Sequence, residues 1–386
     1  MYSVDGRARL ALEAHVLALF HHPAYARPVP APSPVLRGRG AVSNATGRFE
    51  RLAREAFDDG WTDADEAPAR LKTEVTPERA RVIITRNNSP DVGFDRSINP
   101  YRGCEHGCIY CYARPSHAYV GLSPGLDFES RIFFKPEAGR LLAAELSRKG
   151  YDPHVIHIGG NTDPYQPQEK RLRVTRGVLE TLSRFSHPFS IITKSALILR
   201  DADLIGPMGA DRLARAAISV TTLDRALARA MEPRAATPEK RLAAIRGLTD
   251  AGCPVTVMFA PVIPGLNDHE LEAVLERAAQ AGAASAGYVV LRLPLEIKDL
   301  FREWLEAARP ERAGRVMSLV RQMRHGRDYD MRWTERMKGE GPIAELIATR
   351  FAAARRRYGL ERPIPPLDLG RFRVPSAADN QLDLFG

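Results

Sequence analysis

Three of the chain's four cysteines fall in the run Asn99-Pro100-Tyr101-Arg102-Gly103-Cys104-Glu105-His106-Gly107-Cys108-Ile109-Tyr110-Cys111-Tyr112, spaced C-x3-C-x2-C. Thiolates are soft ligands, and so tight a loop can aim all three at one metal centre. A structural zinc takes four closed ligands, whereas a cubane [4Fe–4S] cluster has four irons. Three cysteines on four irons leave one iron open to a small molecule. The competing reading is a zinc site completed by His106 or His117. Zinc ligands more often come as two pairs at x2 to x4, the second pair distant. A disulfide framework would leave one of the three unpaired. The fourth cysteine, Cys253, lies in Ala251-Gly252-Cys253-Pro254-Val255 before an apolar run and reads as a small core residue.

The rest of the composition sets the setting for that loop. The 386 residues suffice for one large core or two modest ones. Hydrophobic content is 44%, yet no apolar run is long enough to span a bilayer. The first residues lack the pattern of a signal peptide, because Glu13 and His15 interrupt the apolar stretch Leu10 to Phe20. A cytoplasmic location is the expectation. A net charge of +9 leans toward a polyanion such as nucleic acid.

Residues 1–75 read as an N-terminal arm, partly disordered. Pro28-Val29-Pro30-Ala31-Pro32-Ser33-Pro34 favours extended backbone, and Arg37-Gly38-Arg39-Gly40 is flexible and basic. A short amphipathic stretch follows at Phe49 to Phe57. After a short strand at Val82-Ile83-Ile84, residues 76–300 alternate strands with helices, the pattern of a parallel sheet with crossovers. The expected strands are Ser97 to Pro100, Val155 to Gly159, Phe189 to Thr193, Ala217 to Thr221, Val255 to Ala260 and Gly287 to Leu291. The expected helices are Glu137 to Lys149, Arg176 to Ser183, Asp201 to Ala216, Pro238 to Ala251 and Asp268 to Ala281. Sites in such sheets lie at the carboxyl ends of the strands, where the cysteine loop falls. Residues 301–360 read as a helical extension that includes Arg355-Arg356-Arg357. Residues 361–386 read as a flexible tail.

The cysteine spacing, with an aromatic residue before the last cysteine, resembles the radical S-adenosylmethionine (SAM) superfamily. The resemblance implies an α/β fold, a partial (β/α)6 barrel. It also implies two cofactors, SAM and a [4Fe–4S] cluster on Cys104, Cys108 and Cys111. The open iron would chelate the amino and carboxylate groups of SAM. One electron from the cluster would cleave SAM and yield a 5′-deoxyadenosyl radical that abstracts hydrogen from a substrate. Other positions follow from the same likeness. The loop His157-Ile158-Gly159-Gly160-Asn161 is expected to hold SAM's amino group through Gly159, Gly160 and Asn161. Thr162 and Asp163 either join them or cap the next turn. Lys194, at a strand's carboxyl end, is placed to neutralise SAM's carboxylate. Ser219 supplies a hydroxyl near the ribose or methionine. The apolar stretch Met258 to Leu266 would pack on adenine, with Asn267 or Asp268 capping the helix after it. The role of Glu232-Pro233-Arg234 is open.

Within the superfamily the chain resembles a bacterial branch related to spore photoproduct lyase, a DNA repair enzyme. The likeness rests on Asn99 to Tyr112, Pro115 to Phe128, Thr162 to Glu169 and Val262 to Asp268. That lyase carries a hydrogen-donating cysteine before the Thr-Asp or Ser-Asp step, where this chain has Gly159-Gly160-Asn161. Thymine-dimer repair itself is therefore not implied. Tyr110 and Tyr112 match tyrosines beside the lyase's last cluster cysteine. Tyr110 is expected against the cofactors, and Tyr112 is the candidate catalytic hydrogen relay. The tail, Gln381-Leu382-Asp383-Leu384-Phe385-Gly386, resembles the short peptide with which bacterial DNA-processing proteins dock on the sliding clamp. DNA, that clamp and a cellular electron donor are the expected partners. The alternatives are radical modification of RNA or protein, and a metal-bearing nucleic-acid-binding protein without turnover.

Overall fold

The chain is described by a computed structural model at residues 39–50, 71–333 and 335–375. Two stretches of the sequence reading, Pro28 to Pro34 and Gln381 to Phe385, lie outside the described residues, as does most of Phe49 to Phe57.

Among the described residues, ten strands form two sheets. They are β1 (Glu74–Pro77), β2 (Ile84–Arg86), β3 (Arg96–Ile98), β4 (Tyr101–Arg102), β5 (Arg131–Phe134), β6 (Ile156–Ile158), β7 (Phe189–Thr193), β8 (Ala214–Ser219), β9 (Val255–Val262) and β10 (Ser285–Val290). The large sheet runs β10-β9-β8-β7-β6-β3-β2. Its first six members are parallel, and β2 pairs antiparallel with β3 at the edge. This is the expected six-unit parallel architecture. A small sheet, β1-β5-β4, stands beside it and holds the entry to the cysteine loop.

Alternation along the strands explains the layering. Ile156, Ile158, Phe189, Ile191, Ile218, Val255, Val257 and Phe259 are at most 1% exposed and join helix residues such as Val178, Ile245 and Val274 in one core. The opposite face is polar and half-buried. There Thr85 bonds Ser97, His157 bonds Ser190, and Thr256 bonds Ser285, at 2.9, 2.9 and 2.8 Å.

Several expected boundaries move. The helix expected over Asp201 to Ala216 stops at Ala210, and β8 begins at Ala214 rather than Ala217. Ala214-Arg215-Ala216-Ala217 is helix-prone in isolation, but pairing with Phe189 to Ile192 overrides that propensity. The strand expected at Val82 to Ile84 is Ile84–Arg86. The C-terminal helices begin at Ile297, inside the expected core, and include Pro310–Gln322 and Gly341–Arg357.

Two segments expected at the periphery are packed. Arg39 to Val42 are buried, although their Arg-Gly composition reads as flexible. The Arg39 guanidinium donates to the Glu129 carbonyl at 2.6 Å. Residues 361–375, expected as flexible tail, lie against the barrel. The Asp368 amide donates to the Arg212 carbonyl at 2.9 Å, and the Arg373 amide to the Phe185 carbonyl at 3.0 Å. Phe372 packs on Tyr151 and His187, with centroids 5.3 and 5.4 Å away. Among the described residues, no helix is long and apolar enough to cross a membrane.

His187 is fully buried. Its Nδ1 faces the Pro188 carbonyl at 3.0 Å, so Nδ1 carries the proton and Nε2 accepts from the Tyr151 hydroxyl at 2.9 Å. Burial favours the neutral ring and pulls its pKa from 6.5 to about 4. The unfolded chain then binds the extra proton first. Stability contributed by neutral His187 is full above about pH 6.5 and is lost as pH falls toward 4. The fall in thermal midpoint between those pH values should be shallower in His187→Gln. An identical profile in the variant would contradict this.

Candidate active site

The cysteine loop leaves β4 and is gripped from all sides. Gly103 and Gly107 take left-handed backbone angles (φ +76° and +68°), which let the chain fold back on itself. Cys104 donates its amide to the Phe128 carbonyl at 2.9 Å, and Ile109 donates to the Met231 carbonyl at 3.0 Å. Gln166, fully buried, accepts from the Glu105 amide at 3.0 Å and donates to the Gly103 carbonyl at 3.1 Å.

The strongest grip is Arg114. It is fully buried and donates to the carbonyls of Cys108, Gly107, Pro124 and Gly125 at 2.9 to 3.1 Å. Its charge is met by Glu129, also fully buried, at 2.5 Å. Glu129 further accepts the amides of Gly40 at 2.9 Å and Ala41 at 2.8 Å. Gly40 is required there, since a Cβ would stand 1.8 Å from the Gly107 carbonyl oxygen.

Cys104 and Cys108 are buried, and Cys111 is half-buried. Burial pushes all three thiols up. Cys104 is raised further by Asp163 and by the other two sulfurs, which shows that the three share one electrostatic environment. Three thiolates in so dry a place need a compensating cation, and a multi-iron centre supplies one. The donor set fits a cluster with one iron left open. The protein's own cation here is Lys194, whose half-buried ammonium favours the thiolate forms of Cys108 and Cys111. It lies 5.8 Å from the Tyr110 ring centroid.

Two buried carboxylates brace the floor. Burial alone would raise Asp163, but His106 beside it and bonds from Thr193 and Lys194 bring it to about 2. His106 Nδ1 is 3.3 Å from Asp163 Oδ2. The Thr193 hydroxyl and Lys194 amide donate to the carboxylate at 2.6 and 2.8 Å. Asp163 thus joins the cysteine loop to the end of β7, while also accepting the Tyr165 amide at 2.9 Å as a local cap. Burial would likewise raise Glu232, yet Arg241 and Lys194 hold it at about 2. Glu232 accepts from the Tyr110 hydroxyl, from Thr221 at 2.7 Å and from the Arg241 guanidinium. Arg241 also donates to the Ser219 carbonyl at 3.1 Å.

The positions singled out in the sequence distribute as follows. Lys194 and Tyr110 face the cysteines. Tyr112, 46% exposed, donates its hydroxyl to the Gly160 carbonyl and so closes the cysteine loop onto the loop after β6. Gly159 has φ +93°, and a Cβ there would stand 2.7 Å from the Ile192 carbonyl oxygen. The Asn161 amide donates to Asn99 Oδ1 at 2.8 Å. Ser219 is buried at the end of β8, with its carbonyl on Arg241. Asn267 does not cap the following helix. It accepts the Ile263 amide at 2.6 Å and donates to the Thr221 and Pro261 carbonyls at 2.8 and 3.0 Å, tying the ends of β8 and β9 together. Asp268 accepts the Gly265 amide at 2.8 Å. Glu129, Arg114, Gln166, Arg241 and the carboxylate role of Glu232 went unread, because the burial of a charged or polar side chain leaves no periodic signal in the local sequence.

Comparison with known proteins places the chain in a family. Residues 98–278 match the model of the Radical SAM superfamily. An uncharacterized protein of Mycobacterium tuberculosis is 34% identical over 281 residues, covering 72% of this chain and 80% of that one. The chain belongs to the radical SAM superfamily. An uncharacterized protein of Methanocaldococcus jannaschii is 28% identical over 199 residues, covering 52% of this chain and 71% of its own. Among solved structures, a mutant of spore photoproduct lyase matches at 15% identity and a TM-score of 0.47, covering 74% of this chain and 77% of that one. Radical SAM proteins use a [4Fe–4S] cluster and SAM, and the three-thiol donor set accords with that usage.

Removing Glu129 leaves Arg114 as an uncompensated buried charge. Glu129→Ala should cost about 3–5 kcal/mol of stability and lower the iron retained per chain after anaerobic reconstitution. Unchanged stability and iron content would contradict the bracing role.

Proposed function

We propose that this radical SAM enzyme acts on nucleic acid in the cytoplasm, in DNA repair or modification. The observation that carries the reading is the three-thiol loop inside Asn99 to Tyr112, a run that resembles the spore photoproduct lyase branch. The further likenesses at Pro115 to Phe128 and Thr162 to Glu169, and the net charge of +9, support it.

In this reading Cys104, Cys108 and Cys111 hold the cluster. When bound, the cluster and SAM together supply a 5′-deoxyadenosyl radical that takes hydrogen from the substrate. Lys194 meets the carboxylate of SAM, and the backbone of Gly159, Gly160 and Asn161 approaches its amino group. Tyr110, with its hydroxyl bound to Glu232, is a rigid apolar wall beside the thiols. Ser219 orients the ribose side through the end of β8. Tyr112 lies at the exposed edge, where its hydroxyl hydrogen can pass to a substrate radical, leaving a tyrosyl radical that one electron from the cellular donor and one proton return to tyrosine. The tail Gln381 to Phe385 would dock on the sliding clamp through Leu382, Leu384 and Phe385, and a cellular one-electron donor would reduce the enzyme.

Anaerobic incubation with dithionite, SAM and ultraviolet-damaged DNA should yield 5′-deoxyadenosine and altered nucleotides. SAM cleavage that leaves every nucleic acid unchanged but modifies a protein would contradict the substrate reading. Two variants test the residue roles. Cys108→Ala should lose visible cluster absorbance and SAM cleavage together, and retention of both would misplace the site. Lys194→Ala should weaken SAM binding about 10- to 100-fold, as expected for loss of a charge-assisted bond. Unchanged SAM affinity would remove Lys194 from that role.

A further inference from the structure

Beside the cysteine loop the structure holds a cleft of about 560 Å³ between the exit of β10 and the segment 327–332. Leu293, Leu295, Lys298, Arg327, Tyr329 and Met331 line it. Leu293 belongs to the apolar cluster that contains Cys108 and Tyr110, and Tyr329 packs against that cluster. Arg292, next to Leu293, places its guanidinium 5.2 Å from the Tyr112 ring centroid. The cleft is thus linked to the cysteine loop through Leu293 and its neighbour Arg292.

Its charge is one-sided. The two acidic residues on the wall are already neutralised. Asp328 is paired with Arg302 and, at 2.8 Å, with Arg321, while Asp330 is paired with Arg332 at 2.8 Å. Lys298 and Arg327 are exposed and have no side-chain partner among the described residues. Large apolar side chains stand with them. Leu295 and Met331, on the lining, are 51 and 75% exposed; Trp333, which follows the lining in sequence, is 50% exposed, and the Arg336 guanidinium lies 4.2 Å from its ring centroid. Single exposed apolar residues are ordinary. With the aromatic Tyr329 on the lining and Trp333 just after it in the chain, beside cations that have no partner among the described residues, they offer bases an apolar surface while phosphates meet positive charge. The volume suits a nucleotide-sized ligand.

We infer that this cleft binds an unpaired stretch of DNA adjoining the reacting nucleotide. Lys298 and Arg327 contact phosphates, and Met331 and Trp333 carry bases. The inference rests on the nucleic-acid reading above and adds the location and the strandedness.

The test is fluorescence anisotropy of the full chain with a labelled single-stranded DNA, titrated against salt. The variants are Lys298→Glu/Arg327→Glu and, separately, Met331→Ser and Trp333→Ala, each checked for an unchanged thermal midpoint. The charge variant should bind about tenfold or more weakly, with a salt slope shallower by about 1.4, two phosphate contacts' worth for a single strand. The Met331 and Trp333 variants should weaken binding at an unchanged slope. If the wild-type chain binds DNA and the charge variant binds with equal affinity and slope, the cleft is overturned and the nucleic-acid reading stands. If the wild-type chain binds no nucleic acid at any salt concentration, the nucleic-acid reading falls and the cleft with it. Tighter binding of RNA, or of an acidic peptide, through the same residues would also overturn the inference.

Discussion

The three thiols of the cysteine loop sit in a dry environment, and a fully buried ion pair holds that loop in place. Arg114 gathers four carbonyls of the loop and its flank, and Glu129 neutralises it at 2.5 Å while fixing Gly40 and Ala41. A buried pair of this kind is a weak source of net stability, because desolvation offsets most of the attraction. Its value is geometric. The guanidinium fork fixes several carbonyls at once and so sets the path of the loop.

The same device recurs around the site. Asp163 joins the cysteine loop to the end of β7, and Glu232 joins Tyr110 to β8 through Thr221 and Arg241. Each carboxylate is buried and held ionised by neighbouring cations and donors. Lys194 stands between them. Its amide is bound to Asp163, while its ammonium acts on Glu232, Cys108 and Cys111. The site is therefore preorganised by contacts between strand ends.

What was legible in the sequence was local. The cysteine spacing, the alternation of Phe189 to Thr193 and the Gly159-Gly160 turn each lie within a few residues of one another, and each is where the sequence reading put it. Ala214 to Ala217 misled because helix propensity is local and strand pairing is not. The small sheet β1-β5-β4 was missed since strands of two to four residues carry no periodicity. Arg39-Gly40 looked like a flexible arm because its partners, Gly107 and Glu129, lie much further along the chain. Glu232 and Arg241 lie only nine residues apart, but nothing in their local pattern shows that both side chains turn inward, although a Glu-Pro-Arg step soon after a strand exit marked the place.

The central claim is a cluster held by Cys104, Cys108 and Cys111 with one iron left for SAM. Mössbauer spectroscopy of anaerobically reconstituted, iron-57-labelled protein, with and without SAM, tests it most directly. One [4Fe–4S] cluster per chain is expected, in which a single iron changes its isomer shift when SAM is added. Four irons that all ignore SAM, or stoichiometric zinc in place of iron, would contradict it.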